Sequence, residues 1–591
     1  MQDEDGRWIE GPSLDWGRLP ARVEAVIAER VGRLPPAWQE ALATASVEGE
    51  TFTAEVVARV QDVEPGEILR LLSDELGRQH RLVRAQSLHR VGGQRLSRYR
   101  FRHFVFQTYL YHQLDEIECA HRHEAVGNTL EALYGEHGGE IPSAIAGQLA
   151  WHFEKAGMVD KAVTYRYQAG ERAVQMSAYE EALLHYTRGL ELLETMPNSA
   201  DRAQRELSFQ LALGIPLRAI KSYGAPERGR AYTRALELSR QIGEPAQIFQ
   251  TLIMHWSYCM PRAEHRQALG IAEQILDLAR RMGEPAQTAA ARTVLGMSQV
   301  YLGAFTQARA HFERALADFD PRQRRSLLTV TGQDIQVTCL AYMSWVLWFL
   351  GYPDQALQRA DESIELARDL DQPFSLGFAL GIAGGVIHLR CGKYETALDE
   401  AETLLRLWEK EGFALYRAWG KCIKGRALTE LGRAEEGLAI LRDGVADCKA
   451  VGILASHTQQ LANFAEACAS AGAIDEGLDA IAEALALVEA HDERHFEANL
   501  HLRRGELLLK KGRAYWTEAE ECLHQAIEIA RRQRARSWEL RAATVLGRLW
   551  REQGLREEAH RFLANVLGWF SEGFDTTDLR QAQALLKELR R

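Results

Sequence analysis

One short segment near residue 120 has residue types and spacing that could bind a metal ion. Glu118 and His121 have the Glu-x-x-His spacing that puts a carboxylate and an imidazole on one helix face, and His123 follows. A di-metal carboxylate site needs a second such motif and two further carboxylates on facing helices. The sequence has no second copy in a compatible place. We therefore predict no metal site, and a solvated or helix-capping role for this segment.

Other arrangements that support catalysis are missing from the sequence. The eight cysteines are scattered without a Cys-x-x-Cys pair, which indicates buried free thiols in a reducing cytoplasm rather than a zinc cluster or disulfide framework. No phosphate loop of the form Gly-x-x-x-x-Gly-Lys-Ser/Thr occurs, and no cyclase metal-site sequence can be placed. Serine, histidine and cysteine spacings suggest no nucleophilic site. The sequence predicts a non-catalytic chain without a cofactor.

The elements that carry most of the chain follow a repeat of about forty residues. A small residue lies seven positions before each of seven glycines, and alanine or glycine usually lies five positions after. Only Ala519 breaks this spacing, because it lies seven positions after its glycine. The pattern predicts stacked helix pairs, in which small residues allow close helix contact and each glycine ends a first helix. The seven glycines are Gly303, Gly351, Gly392, Gly432, Gly472, Gly512 and Gly554.

The first 118 residues have a different pattern. Residues 1–20 are predicted to be a linker, and short helical stretches follow. Two alternating runs, 82–91 and 95–101, flank a Gly-Gly pair and predict a β-hairpin. Helices followed by a hairpin are typical of a winged-helix domain, which we place at residues 21–118. The candidate recognition helix, Glu67–Gly77, carries three acids and one arginine, so DNA phosphates would repel it.

Composition agrees with a protein-binding rather than a nucleic-acid-binding chain. The 591 residues include 46% hydrophobic and 26% charged residues, with a net charge of −11. This charge argues against non-specific binding to nucleic acid or to an anionic membrane. No apolar run approaches the length of a membrane span, and the acidic N-terminus does not resemble a signal peptide. We expect a cytoplasmic protein.

The spacing of small residues resembles the tetratricopeptide repeat (TPR). The match rests on a small residue, a glycine seven positions later and an alanine five positions after that. The resemblance implies an all-α fold, a right-handed superhelix of about eleven helix pairs over residues 119–573, closed by a capping helix at 574–591. The chain departs from the TPR pattern where an aromatic residue is usual. That position holds Gln299, Leu347, His388, Leu428, Cys468, Leu508 and Trp550.

Several phrases are also similar to bacterial STAND-class signalling ATPases. They are Asp5-Gly-Arg-Trp, the stretch 19–27, the stretch 45–52 and Arg102-His-Phe. Such proteins join an ATPase core to a winged helix and a TPR superhelix, often with an adenylate/guanylate cyclase or transcription-factor domain. The resemblance covers nearly the whole chain but only the region after the ATPase core, which is absent here. It implies either a scaffold that binds a partner or inducer, or a C-terminal regulatory fragment of such an ATPase or cyclase in signal transduction or transcription regulation.

In TPR arrays the first helices line a concave groove. The resemblance therefore implies that a protein, a peptide or a small inducer binds there, with an ATPase or cyclase domain as another partner and homo-oligomer formation left open. For Trp345, Trp348 and Phe349, packing in the core is the alternative that we favour. The groove positions assigned by their offset in the repeat are Met297, Tyr301, Trp345, Trp348, Phe349, Trp419, Arg426, Glu430, Glu466, Glu506, Lys510, Arg541, Arg548 and Arg551.

Overall fold

The computed structural model describes residues 21–91, 94–135, 143–324 and 333–590. The predicted linker 1–20 and the Gly-Gly turn of the hairpin lie outside these residues. The chain divides into two compact units, Met1–Pro216 and Leu217–Arg591. The boundaries that we predict at residues 118 and 573 stay predictions.

The first unit opens with a winged-helix-like arrangement. A three-stranded antiparallel sheet has the order β1-β3-β2, in which Phe52 is paired with Tyr99, and Val83 with Phe101. Phe52 and Phe101 are fully buried against the helices, whereas most of β2 is exposed. The predicted hairpin is therefore present. Its elements are α1 Ala21–Gly32, α2 Pro36–Glu48, β1 Thr51–Thr53, α3 Ala54–Val60, α4 Pro65–Arg70 with a π-helical continuation Leu71–Gln79, β2 Val83–Val91 and β3 Gln94–Phe101.

The elements that follow the sheet in the described part of the first unit are helices. Small residues again mark close contacts: a Cβ atom on Gly170 would lie 2.3 Å from the Tyr186 ring, and one on Gly127 would lie 3.0 Å from Phe153. These first helix pairs belong to the same compact unit as the sheet. The helices are α5 Phe104–His112, α6 Glu116–Gly135, α7 Ser143–Lys155, α8 Val159–Gln175, α9 Tyr179–Glu194, α10 Ala200–Ala212 and α11 Gly214–Ile220, which crosses the unit boundary.

The second unit is a TPR-like solenoid of helix pairs. Each helix packs on its sequence neighbours, and the first helices of successive pairs also touch, so they form an inner layer. The helices are α12 Pro226–Ile242, α13 Pro245–Cys259, α14 His265–Met282, α15 Pro285–Tyr301, α16 Phe305–Asp318, α17 Ile335–Phe349, α18 Pro353–Asp369, α19 Pro373–Phe378 with a π-helical continuation Ala379–Gly384, α20 Gly385–Arg390, α21 Tyr394–Glu411, α22 Ala414–Glu430, α23 Ala434–Ala450, α24 His457–Ala471, α25 Ile474–His491, α26 Glu497–Lys511, α27 Trp516–Gln533, α28 Arg536–Glu552, α29 Arg556–Leu567 and α30 Thr577–Leu589.

The repeat glycines take the backbone conformation that the sequence predicts. All seven have positive φ, from +76° at Gly303 to +136° at Gly512, where residues with a Cβ atom are strained. The late position of Ala519 also has a local cause. A 3₁₀ turn, Arg513–Tyr515, separates Gly512 from the next helix and accounts for the additional residues.

The helix pairs of the second unit coil until pairs four or five apart are in contact. The backbone N–H of Arg494 donates to the carbonyl of Tyr301 at 2.8 Å, and Ser537 Oγ donates to the carbonyl of Trp348. Gly573 N–H donates to Asp354 Oδ2 at 2.9 Å across 219 residues of sequence. The concave face of this unit is therefore partly closed by the chain itself.

One described stretch, Pro373–Arg390, is long and apolar enough to cross a membrane by length and composition. The sequence did not single it out, because glycines interrupt its apolar residues. Since 78% of it is buried inside the structure, it is a core element of the solenoid here.

Candidate functional site

The inner layer of the second unit lines a partly open cavity of about 250 Å³. Its walls come from six consecutive inner segments, α17, the π-helical segment with α20, α22, α24, α26 and α28, and from α30. Residues far apart in the sequence meet here because the helix pairs coil back on themselves. The cavity is therefore the candidate site, and its polar and aromatic walls are described below.

An aromatic cage surrounds one arginine on the cavity wall. The guanidinium carbon of Arg390 lies 4.8 to 5.0 Å from the ring centroids of Trp345, Trp348, Phe349 and Phe496. Trp345 Nε1–H donates to the carbonyl of Ile382. Each favourable ring contact stabilises a desolvated cation by about 1–2 kcal/mol.

The two terminal nitrogens of Arg390 have no polar partner in the part of the chain that the structure describes. Only 7% of the residue is exposed. Burial, and then the charge of Arg541, lower the pKa of Arg390 well below its usual range. Because an arginine keeps its proton in a protein, Arg390 stays charged, and the burial of this charge is energetically unfavourable.

The neighbouring arginines have counter-ions. Arg426 and Arg503 both pair with Glu466, at 2.6 and 2.8 Å. Arg541 pairs with Asp578 at 2.7 Å and donates to the carbonyl of Arg390 at 3.0 Å. Burial alone would raise the pKa of Glu466, but the three arginine charges outweigh burial and lower it. Glu466 is thus a carboxylate at neutral pH. Glu430 and Glu506 complete this network.

Several other residues of the cavity wall carry buried polar atoms without a partner in the described structure. They include the amide oxygens of Gln459, Gln460 and Asn499, the indole N–H of Trp538 and one nitrogen each of Arg426 and Arg503. Buried polar groups are normally hydrogen-bonded, and leaving one unpaired costs roughly 1–3 kcal/mol. So many unpaired groups on one wall are typical of a surface that is completed by a bound molecule.

The structure brings five of the ten partner-binding residues of the sequence prediction to this cavity. They are Trp345, Trp419, Arg426, Arg541 and Arg548. The other five lie elsewhere. Met297, Tyr301, Trp348 and Phe349 are buried in the core, and Arg551 pairs with Glu588. Of the additional groove positions, Glu430, Glu466 and Glu506 line the cavity, whereas the Lys510 amine donates to the carbonyl of Ala469.

Sequence reasoning missed Arg390, although a signal for it existed. Arg390 lies two residues before the turn glycine Gly392, the same offset that Tyr301 and Phe349 have from their own turn glycines. Applying this offset to every repeat would have found it. Asn499 also had a signal, because it lies thirteen residues before Gly512, the offset that Trp419 and Arg541 have from their own turn glycines. Arg503 and Trp538 had no such signal, because their placement depends on how the solenoid coils.

The Glu118–His123 segment has other roles in the first unit. Glu118 pairs with Arg122 at 2.7 Å. His123 is buried and lies within hydrogen-bond distance, 2.9 Å, of both Tyr111 Oη and His152 Nδ1. Burial lowers the pKa of His123 to about 4. Across the described ranges, no group of three or more His, Cys, Asp or Glu residues could hold a metal ion.

Comparison with known proteins gives a limited result. No known protein-family description matches the chain. An uncharacterized protein of Rhizobium meliloti (strain 1021) is 22% identical over 454 residues, which cover 75% of this chain and 43% of that protein. The chain thus spans less than half the length of this curated relative.

Solved structures with similar helical arrays are distant. The APC/C hetero-tetramer Cut9–Hcn1 is 13% identical, covers 80% of this chain and 88% of its own, and has a TM-score of 0.43. The apo form of RapI is 11% identical, and the match covers 49% of this chain and 98% of RapI with a TM-score of 0.40. A STAND protein with a tetratricopeptide repeat sensor from Pyrococcus horikoshii is 11% identical. The match covers 86% of this chain and 65% of that protein with a TM-score of 0.36. Such scores support no functional argument. The turns and helix contacts of the chain themselves define a TPR-like α-solenoid with an internal polar cavity.

Proposed function

We propose that this chain is a non-catalytic sensor scaffold of a signalling protein, and that a small inducer or a segment of a partner protein occupies the cavity of the second unit. The observation that carries this proposal is the set of unpaired buried polar atoms on the cavity wall. A catalytic pocket would use a few reacting groups, whereas this wall offers many hydrogen-bonding groups and aromatic anchors. Such a wall suits binding.

The position of the cavity suggests how binding is transmitted. Arg541 lines the cavity and also holds the carbonyl of Arg390, which belongs to a helix pair four positions earlier. A ligand that contacts both residues would favour one coiled arrangement of the pairs. By linkage, it would stabilise this arrangement by about 2.7 kcal/mol when its concentration is 100 times its Kd.

Native mass spectrometry of the purified chain tests this proposal. The chain is mixed separately with the small-molecule and the protein fraction of a cell extract, and Trp419→Ala and Trp569→Ala serve as a matched pair. Trp419 lines the cavity, whereas Trp569 lies outside it and is 38% exposed. We expect a saturable complex that Trp419→Ala weakens by about tenfold or more and Trp569→Ala leaves unchanged. Binding that is equal in both variants, or absent from the wild type, would contradict the proposal.

The second candidate function is that of a regulatory fragment of a STAND ATPase or nucleotide cyclase. The observation that favours it is the greater length of the curated relative, of which 43% matches this chain. ATP hydrolysis by the chain alone, and mixed with the product of the adjacent upstream gene, separates the two candidates. A rate of ATP hydrolysis that changes only in the mixture would support the regulatory-fragment function. An unchanged rate would rule this function out.

A further inference from the structure

Among the buried charges that line the cavity, one arginine lacks a counter-ion in the described structure. Arg426 and Arg503 share Glu466, and Arg541 has Asp578. Arg548 is exposed and donates to Gln581 at 3.0 Å. Arg390 is thus the buried cavity arginine without a carboxylate partner among the described residues.

The aromatic cage does not replace this partner. The ring faces attract the cation, but they do not accept its in-plane N–H groups in the way that an oxygen does. A buried charge that lacks a hydrogen-bonded partner is destabilising, and an apolar side chain of similar size would serve packing better. The four rings surround the guanidinium at 4.8 to 5.0 Å and restrict its movement. A fixed guanidinium of this kind is suited to bind a planar or tetrahedral anion through two parallel hydrogen bonds.

The size of the cavity and the other residues of its wall restrict the class of molecule that can bind there. A volume of about 250 Å³ lies just below the usual range of ligand pockets, about 300–1,000 Å³, and fits a small molecule rather than a folded segment. Gln459, Gln460 and Asn499 line the same space, and their unpaired amide oxygens can accept hydrogen bonds from hydroxyl or N–H groups of that molecule.

We infer that the cavity binds a small organic anion whose carboxylate or phosphate oxygens pair with the Arg390 guanidinium, while the amide side chains hold its remaining polar groups. This inference rests on the proposed function and names the ligand class for the same site. Arg541 also lies 4.9 Å from the ring centroid of Trp348, but Asp578 balances its charge, which leaves Arg390 as the buried cation for the anion.

Thermal unfolding of the full chain tests this inference, with inorganic phosphate, succinate and citrate as probes at constant ionic strength. The chain is compared with Arg390→Gln, and Arg551→Gln serves as the matched control because Arg551 lies outside the cavity. We expect at least one anion to raise the Tm of the wild type and of Arg551→Gln saturably, with binding at least about tenfold weaker in Arg390→Gln. Should Arg390→Gln fail to fold, Arg390→Lys keeps the charge but loses the two-pronged geometry, and we expect it to bind more weakly than the wild type.

Any of the following outcomes would overturn the inference. The first is that no probe shifts the wild type beyond sodium chloride of equal ionic strength, which also controls for general salt stabilisation. The second is equal binding by Arg390→Gln. The third is tighter binding of a tetrapeptide with a free C-terminus than of any small acid, when its amidated form does not bind; this result would assign the site to a peptide terminus. If a neutral molecule binds in a Trp419-dependent but Arg390-independent way, the ligand class is wrong and the proposed function stands.

Discussion

At the residue scale, His388 is a buried charge of the solenoid that specific partners hold in place. Its Nδ1 lies 2.9 Å from Glu400, and its Nε2 lies 3.4 Å from Asp361. Burial alone would lower the pKa of His388, but the hydrogen bonds to Asp361 and Glu400 outweigh burial and raise it to about 9. The imidazolium therefore joins three helices at neutral pH, at a position where the TPR pattern usually has an aromatic residue.

This pairing predicts a pH-dependent stability. Since the folded pKa exceeds the ordinary value of about 6.5, the contribution of His388 is complete below about pH 6.5 and is lost as the pH rises through about 9. We expect His388→Gln to lower the free energy of unfolding by roughly 1–3 kcal/mol near pH 6 and by less near pH 10. Urea denaturation at both pH values measures this. A difference that is constant with pH would show that the charge of His388 does not contribute.

At the scale of elements, the small residues differ in how closely they bring two helices together. A Cβ atom on Gly425 would lie 2.7 Å from the backbone oxygen of Gly437, so the two helices would have to separate. One on Gly505 would lie 3.0 Å from Leu523, and one on Gly547 would lie 3.3 Å from Leu585, where a side chain can move. The same repeat position thus leaves no room for a Cβ atom in one helix pair and can accommodate one in another.

We therefore expect a graded response to alanine at these positions. Gly425→Ala should cost about 1–3 kcal/mol because backbone must shift, Gly505→Ala less, and Gly547→Ala least. Gly270→Ala is the control, since its Cβ atom would meet nothing within 4 Å inside a helix, and we expect it to stabilise the chain by about 0.5–1 kcal/mol. Melting temperatures of the four variants provide the comparison. Equal losses at Gly425 and Gly547 would refute the packing explanation.

At the scale of the whole molecule, the unit Leu217–Arg591 is held together by contacts between distant helix pairs as well as between neighbours. Glu493 accepts hydrogen bonds from the backbone of Ser456, at 3.0 Å, and from Thr458. It also lies 3.2 Å from His265, which is 228 residues away in sequence. Repeat arrays with contacts only between neighbours unfold in parts, whereas contacts of this kind couple the parts.

Removing this carboxylate should therefore affect cooperativity as well as stability. We expect Glu493→Ala to cost about 3–5 kcal/mol, because it leaves buried donors without a partner, and to lower the m-value of urea unfolding as the coupling between pairs weakens. Glu476→Ala is the control, since Glu476 forms an exposed ion pair with Arg442 and should change stability by less than about 1 kcal/mol. An unchanged m-value in Glu493→Ala would argue against coupling.

The sequence by itself determined the features that depend on near neighbours in the chain. The turn glycines, the small residues of each pair and the hairpin of the winged-helix-like part were predictable, because each reflects a local requirement of backbone geometry or helix contact. The groove prediction reached Trp419, Arg426 and Arg541 for the same reason, since a fixed offset in the repeat puts a residue on the inner layer.

Only the tertiary structure decided that the inner layer closes into a cavity. The curvature of a solenoid is the sum of small rotations between pairs, and no single repeat reveals that sum. It places Trp348 and Phe349 in the core and brings Arg390 beside Arg541 across 151 residues. That no counter-ion from the described residues reaches Arg390 likewise depends on the coiling, because the coiling decides which side chains come to that point.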